Sequence, residues 1–346
     1  MDRLSDGTVV STRIRLARNL EGYPFPSHLK NEKQAKEIIR LVSCALARLD
    51  EFSLYYMDAI AGEQAVSLME NHLISPKLIK NKHLSAALIN TEESVSIMIN
   101  EEDHLREQCI VKGLDLRFAY ETMSEIDSRI AGSMKFAYDE QFGFLTACPT
   151  NLGTGLRASV MQFLPALTIN GVMPKLIRSI SRLGLTVRGV YGEGSDAEGY
   201  KYQISNEVTL GVTEEEILNQ VEEVVKKVCE LEAAERRTLL NGPNAIEVQD
   251  ECLRAYGILT NCAKISAREF IKLTAKVKLG ACLGFIDIPD VSLIDDLVVK
   301  LSPSNIAATA SQQFTALERD IYRAKCCKKE FEKMKEYEFQ KIADIE

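Results

Sequence analysis

The chain has 346 residues and a mass of 38.7 kDa, a length that fits two domains or one large domain with an appendage. Lys and Arg total 42 against 50 for Asp and Glu, and the resulting charge of −8 argues against the basic footprint that non-specific nucleic-acid binding needs. With 46% hydrophobic residues spread along its length, the chain can bury a core without disulfides, and disorder is excluded as its main state.

The opening stretch, MDRLSDGTVVSTRIRLARNL, has no apolar h-region and no signal-peptide cleavage pattern, so a cytoplasmic location is expected. Nine cysteines without a C-x-x-C pair offer no zinc spacing and read as reduced thiols. Residues 94–100 (SVSIMIN) alternate polar and apolar side chains, which predicts a half-buried strand. Residues 142–150, 185–191 and 201–211 are further expected strands, the last with Tyr202, Ile204, Val208 and Leu210 as its larger apolar members. The longest uncharged run, 158–174, contains Gln162, Asn170, two prolines and a glycine, and reads as a buried core element rather than a membrane span. Residues 192–199 (GEGSDAEG) form a glycine-rich acidic loop, and strands so close in sequence favour antiparallel pairing.

From Thr213 the pattern becomes helical. Thr213-x-x-Glu216 is a capping box, followed by Ile217, Val221, Val224, Val228 and Leu231 at spacings of four and three. The charged stretch 230–237 and then Asn241-Gly242-Pro243 mark a candidate boundary. Helices are expected over 246–256, 266–279, 305–315 and 316 to about 343. The expected architecture is α+β over residues 1–235, followed by an all-helical domain over 236–346.

No G-x-x-x-x-G-K-[ST], no G-x-G-x-x-G after a strand and no kinase H-R-D or D-F-G set is present, so a P-loop NTPase, a Rossmann dehydrogenase and an ordinary protein kinase lose support. What stands out is a series of arginines. Arg13 and Arg15, two apart, share a face if their segment is extended. Asn100-Glu101-Glu102-Asp103-His104-Leu105-Arg106 sets three carboxylates and an arginine at the end of the SVSIMIN strand. Residues 148–159 (CPTNLGTGLRAS) read as a strand end, a glycine-bearing loop and a helix start carrying Arg157. Arg188 lies on a strand that runs into the acidic loop. Each arginine alone reads as a surface charge. Five converging on one cleft would suit a triphosphate, because guanidinium groups stay charged and bind phosphate oxygens through paired donors. Were the acceptor a guanidinium, its protonated nitrogen would need acidic side chains to orient it and to accept a proton. Glu102 and Glu193 are the candidates; the alternative for the Glu-Glu-Asp run is a solvated loop.

Taken together, STRIRLARNLEGYPFP, NEEDHLR, CPTNLGTGLRAS and RGVYGE resemble, in order and spacing, the motifs of the phosphagen (guanidino) kinase family over roughly residues 8–230. The resemblance implies a catalytic domain with an antiparallel sheet flanked by helices, using Mg-ATP to phosphorylate a guanidinium nitrogen. It implies ATP contacts from Ser11, Thr12, Arg13, Ile14 and Arg15, from His72 in MENHLIS, and from Arg106. Further ATP contacts are implied from Arg157, Ala158, Ser159, Val160 and Met161, and from Arg188, Gly189, Val190, Tyr191, Gly192 and Glu193. Glu102 and Glu193 would hold the guanidinium with Cys148 beside it. A small core residue for Cys148 and a partly buried ring for His72 stay open as alternatives. Mg²⁺ would be held by the phosphates and water, with no protein metal ligand.

Two features resemble the bacterial protein-arginine kinases within this family. The first motif begins at Ser11, where small-substrate members carry a helical N-terminal domain ahead of it, and the implied cleft is open to a protein side chain. The second is the C-terminal helical domain with Arg319-Asp320-Ile321-Tyr322-Arg323-Ala324, which in that branch forms an allosteric phosphoarginine pocket. Arg319 and Arg323 could clamp a phosphate while Asp320 takes the guanidinium; the alternative is an intrahelical Asp320–Arg323 ion pair on a solvated face. Met161, where small-substrate relatives tend to have His, agrees with this branch. The resemblance implies protein substrates with exposed arginines, marked for Clp-type proteolysis in a stress response. It also implies a zinc-finger-type activator, a Clp-type unfoldase or protease and a homodimer, with no nucleic-acid or membrane partner. A free-arginine kinase and a weakly catalytic phosphoarginine-reading adaptor are the alternatives.

Overall fold

The computed structural model describes residues 7–47, 52–189, 198–309 and 314–343. Its strands are β1 (Val9–Arg18), β2 (Phe52–Tyr56), β3 (Ala86–Asn90), β4 (Val95–Ile99), β5 (Leu105–Lys112), β6 (Tyr138–Asp139), β7 (Gly143–Phe144), β8 (Leu156–Phe163), β9 (Leu185–Gly189) and β10 (Lys201–Asn206). Its helices are α1 (Glu32–Leu46), α2 (Gly62–Glu70), α3 (Pro76–Lys80), α4 (Leu116–Ala131), α5 (Pro165–Ile169), α6 (Met173–Ser181) and α7 (Glu214–Asn241), then α8 (Ala245–Asn261), α9 (Ala267–Cys282), α10 (Ser292–Lys300), α11 (Pro303–Thr309) and α12 (Ala316–Ala343). Eight strands make one sheet in the order β2-β3-β4-β5-β1-β8-β10-β9. All its neighbours are antiparallel. The expected antiparallel sheet flanked by helices, followed by helices alone, is what the chain forms.

Side-chain alternation gives the sheet two unlike faces. Ile14, Leu16, Ala158, Val160, Tyr202 and Ile204 point one way, into the main core beneath α1, α4 and α7. The opposite face carries Ser11, Arg13 and Arg15. Its β2–β4 end is capped by α2 and α3, whose Leu68 and Leu78 pack on Ala87, Ile89 and Met98. That second cover is why all five residues of β4 are buried, where alternation predicts a half-buried strand. A second core joins α8, α9, α10 and α12 through Leu259, Phe270, Leu297 and Phe331, and Phe163 of β8 reaches into it. The Thr213/Glu216 capping box opens α7, which then runs unbroken past residue 235 to Asn241.

Three sequence expectations need correction. Residues 156–163 form β8 rather than a helix start, because Leu156, Ala158 and Val160 alternate with Arg157, Ser159 and Met161 and the segment bonds to strands on both sides. Over 142–150 only Gly143–Phe144 is strand; beyond it the Ala147 N–H donates to the Asp103 side chain, and Pro149 opens a short 3-10 turn. The strand expected over 201–211 stops at Asn206, whose side chain accepts from Ala158 N–H at 2.9 Å and donates to the Leu156 carbonyl at 3.0 Å. The amide thus replaces the backbone ladder, and Val208 and Leu210 are left exposed. The helix expected over 305–315 is α11, Pro303–Thr309, and residues 310–313 lie outside the described ones.

The β4–β5 turn is fixed from below. Asn100 adopts φ 60°, and its N–H donates to the His104 carbonyl at 2.9 Å. The His104 ring accepts the Leu20 N–H at Nδ1 (3.0 Å), so Nε2 carries the hydrogen and donates to the Pro24 carbonyl at 3.0 Å. Burial holds this ring's pKa down to about 4. An unfolded histidine gains its proton near pH 6.5, so the folded state loses stability as pH falls from there to about 4. Titration followed by NMR is expected to place the ring's midpoint near 4; a midpoint near 6.5 would remove this assignment. A second prediction concerns α7. Glu232, fully buried, accepts from Ala166 N–H (3.1 Å) and Leu167 N–H (3.0 Å) at the start of α5 and from Arg236 Nε at 2.8 Å. Glu232→Ala should cost about 3–5 kcal/mol in a denaturant titration, because it breaks a buried ion pair and removes the acceptor of the Ala166 and Leu167 N–H groups.

Candidate active site

Strand register assembles the site. On the polar face Arg15 lies opposite Arg157, Arg13 opposite Ser159, Ala17 opposite Arg106, and Gln203 opposite Arg188. The five arginines therefore line one cavity of about 360 Å³, together with Glu102, Asp103, Cys148, Gln203 and Ser205. Arg18, on the other parity of β1, points away and is held by Asp127 of α4, with Nε to Oδ1 at 3.0 Å.

Among the described residues, the arrangement leaves positive charge in excess. Arg106 pairs with the buried Glu101 carboxylate at 3.0 Å. Arg157 Nη2 donates to the Ser205 hydroxyl at 3.0 Å, and Arg13 Nη2 to Gln203 Oε1 at 3.5 Å, both neutral oxygens. Among the described residues, Arg15 Nε and Arg157 Nε are buried with no hydrogen-bond partner. Burial, then Arg106 and Arg157, lower the pKa of Arg13 to about 10. Burial followed by Arg13, Arg106 and Arg157 takes Arg15 well below the usual value, and burial followed by Arg188 lowers Arg157. A polyanion in the hollow would relieve this repulsion and satisfy the orphaned donors.

The acidic groups divide by task. Glu102 stands at the rim with its side chain one-third exposed (33%), ion-paired to Lys77 Nζ at 3.0 Å. Asp103 turns inward, and its Oδ1 accepts from Asn19 Nδ2 and from Ala147 N–H, each at 2.6 Å. Those bonds fix the segment leading to Cys148; burial raises the Asp103 pKa. Cys148 is partly exposed on the wall of the hollow, with Sγ 3.0 Å from the Thr150 hydroxyl. Two glycines let this loop lie against the sheet. Gly155 (φ 65°) sits where a Cβ would come within 2.7 Å of the Ala17 carbonyl, and Gly153 (φ 105°) where it would come within 2.2 Å of the Thr209 carbonyl. Sequence reasoning missed Glu101, Asp103, Gln203 and Ser205 as partners. The alternation of Lys201, Gln203 and Ser205 with Tyr202 and Ile204 is the signal that could have found the last two.

Two residues back along the same strands lies a second cavity of about 510 Å³. Ser11, His72, Ile110, Met161 and Lys201 line one side, and Cys282, Pro289, Val291, Asp295 and Val298 of the helical half line the other. His72 closes α2 in a left-handed conformation, φ 61°, a position glycine usually takes. Its ring is accessible through the cavity, and desolvation followed by Arg13 and Lys201 lowers its pKa. Asp295 bridges Lys201 (2.9 Å) and Lys278 (2.6 Å), tying α10 to β10.

Other expected residues are placed differently. Thr12, Ile14, Ala158 and Val160 are buried on the core face, so only their main chain borders the site. The Ser159 hydroxyl donates to the Arg13 carbonyl at 3.2 Å. Gly189 ends β9, while Val190, Tyr191, Gly192 and Glu193 lie outside the described residues. On α12 the Asp320–Arg323 ion pair is present at 2.7 Å, with its arginine end enclosed and Asp320 half-buried. Arg323 is 1% exposed and also donates to the Ile265 carbonyl (2.8 Å) and the Leu301 carbonyl (3.0 Å). Ala324 is buried, Arg319 and Ile321 are half-buried, and the exposed Tyr322 ring lies 5.6 Å from that of Phe314. Among the described residues, no group of three His, Cys, Asp or Glu side chains could hold a metal ion.

Residues 34–235 match the family model described as ATP:guanido phosphotransferase, C-terminal catalytic domain, and residues 245–342 match the Protein-arginine kinase McsB C-terminal domain. The chain is 42% identical over 321 residues to the protein-arginine kinase of Caldanaerobacter subterraneus subsp. tengcongensis, covering 91% of this chain and 94% of that one. It is also 42% identical over 322 residues to that of Halothermothrix orenii, covering 92% of each. Among solved structures it is similar to the duplicated taurocyamine kinase from Schistosoma mansoni with bound transition state analog components, at a TM-score of 0.63 and 27% identity. That match covers 78% of this chain and 39% of the duplicated protein. Lombricine kinase is similar at a TM-score of 0.58 and 30% identity over 66% of each chain. The register-built arginine face and these matches agree: the chain belongs to the ATP:guanido phosphotransferase family, in the branch of the protein-arginine kinases.

Proposed function

We propose that this enzyme transfers the γ-phosphoryl group of ATP to a guanidinium nitrogen of an arginine side chain in a protein. The observation that carries the reading is the hollow of five arginines with two orphaned buried Nε donors and Glu102 at its open rim. The triphosphate would lie on Arg13, Arg15, Arg106, Arg157 and Arg188, with the base in the adjoining cavity beside His72. Glu102, released from Lys77, would orient the acceptor and take a proton from its nitrogen as the N–P bond forms. The bond from phosphorus to the bridging oxygen breaks with its electron pair going to ADP, and the arginines offset the charge gathering there. Glu193 would be the second carboxylate and Cys148 a neighbour of the guanidinium. Mg²⁺, bound through phosphate oxygens and water, would supply further neutralisation of the triphosphate.

The match of residues 245–342 to the protein-arginine kinase C-terminal domain supports a protein acceptor over free arginine. We also infer, from the resemblance of the sequence motifs, an allosteric phosphoarginine pocket at residues 319–324, a homodimer, a zinc-finger-type activator, and cytoplasmic marking of clients for Clp-type proteolysis under stress. Incubation with ATP and either a protein or free arginine, followed by a test for acid-labile phosphate on arginine, separates the two acceptors.

Glu102→Gln is expected to lower kcat by about 10²–10⁴-fold with ATP affinity nearly unchanged, and near-normal turnover would remove its role. Arg15→Met should leave the free protein no less stable in denaturant, since a buried donor without a partner is removed, yet weaken ATP binding by about 10–100-fold. Unchanged ATP affinity by calorimetry would detach Arg15 from the triphosphate.

A further inference from the structure

A third recess, about 750 Å³ in volume, opens on the far side of Glu102 from the arginine hollow. Its wall includes Ser27 from the Pro26–His28 turn, and Lys77, Lys80, Lys82 and His83 from α3 and the residues that follow it. In a chain with a net charge of −8, the stretch PKLIKNKH concentrates three lysines and a histidine within seven residues, 77–83. The Ser75 hydroxyl caps α3 by accepting from Leu78 N–H at 3.0 Å, which sets the turn from which Lys77 and Lys80 project. The carboxylates on this wall are already matched, Glu101 by Arg106 and Glu102 by Lys77, each at 3.0 Å. Among the described residues no ion pair engages Lys80 or Lys82, and both are exposed. The groove thus keeps a surplus of positive charge, and it begins at the group that would receive the acceptor.

We propose that this groove seats the polypeptide flanking the target arginine, and that Lys80 and Lys82 select acceptors whose neighbouring residues are Asp or Glu. The proposal rests on the reading of Glu102 as the acceptor-side carboxylate. An arginine reaching Glu102 from solvent must bring its own backbone across the rim. A recess of this size beside the rim gives that backbone a place to lie, where carboxylates meet the lysines and basic neighbours are repelled. Displacement of Lys77 from Glu102 by the incoming guanidinium would free that ammonium for the same flanking carboxylates.

The test compares two synthetic peptides, each with one arginine, one flanked by Glu and Asp and the other by Ser and Ala, assayed with ATP on the full chain. Wild type should favour the acidic peptide by about tenfold in kcat/KM at low salt, carried by KM, and the preference should shrink as salt is raised. Lys80→Glu combined with Lys82→Glu should abolish or invert the preference while leaving ATP affinity and turnover of the Ser/Ala peptide unchanged. Equal kcat/KM for the two peptides in wild type, or a preference that survives both substitutions, overturns the groove assignment. Failure of wild type to phosphorylate either peptide overturns the underlying kinase reading instead, and the two failures are told apart by the Ser/Ala peptide alone.

Discussion

Like charges crowded on one side of a sheet repel, and much of this structure serves to hold them there. The period of two along β1 commits Arg13 and Arg15 to the same side as Arg157 and Arg106, so the repulsion follows directly from register. Relief by carboxylates is sparing. Glu101 takes Arg106, while among the described residues Arg13 and Arg157 receive the neutral oxygens of Gln203 and Ser205. The opposing face provides the compensation, since Ile14, Ala158, Val160 and Ile204 are wholly buried against the flanking helices. A site with unmet donors is preorganised for an anion, because the cost of assembling it was met when the sheet folded.

The helical half does more than follow the catalytic sheet in sequence. Its α10 supplies one wall of the cavity that continues from the arginine hollow, and Asp295 secures that wall to Lys201. Its α11 meets the end of α2: Ser304 N–H donates to Glu70 at 2.9 Å, and Asn305 bonds both Asn71 and Ser67 at 2.7 Å. These contacts hold the residues that lead into the strained His72 backbone. Arg323, through the Leu301 carbonyl, links α12 to the C-terminal end of α10.

Much of this was legible from residue order. The i, i+2 spacing of Arg13 and Arg15 gave their common face, and the same parity separates them from Arg18, which pairs with Asp127 on the core side. The Thr213 capping box and the span of α12 were equally local signals. What was not legible depended on distant partners. The strand character of 156–163 was hidden by the glycine loop ahead of it and is set by pairing to β1 and β10. In Glu101-Glu102-Asp103 nothing local separates the residue that faces Arg106 from the one at the rim or the one that holds Ala147; the β4–β5 turn decides it. Burial of Arg323 likewise requires carbonyls at 265 and 301 that lie far off in sequence.

The 28-residue helix α7 spans about 42 Å at 1.5 Å per residue. Its first half, through Val221, Val225 and Val228, belongs to the core under the sheet, and Leu240 near its end packs against the helical core. Between them, Glu232 holds the start of α5, immediately after the strand whose Phe163 enters that second core. One uninterrupted rod is therefore common property of both hydrophobic interiors. Because no break in the helix separates the two interiors, a disturbance of one has a directly packed route to the other.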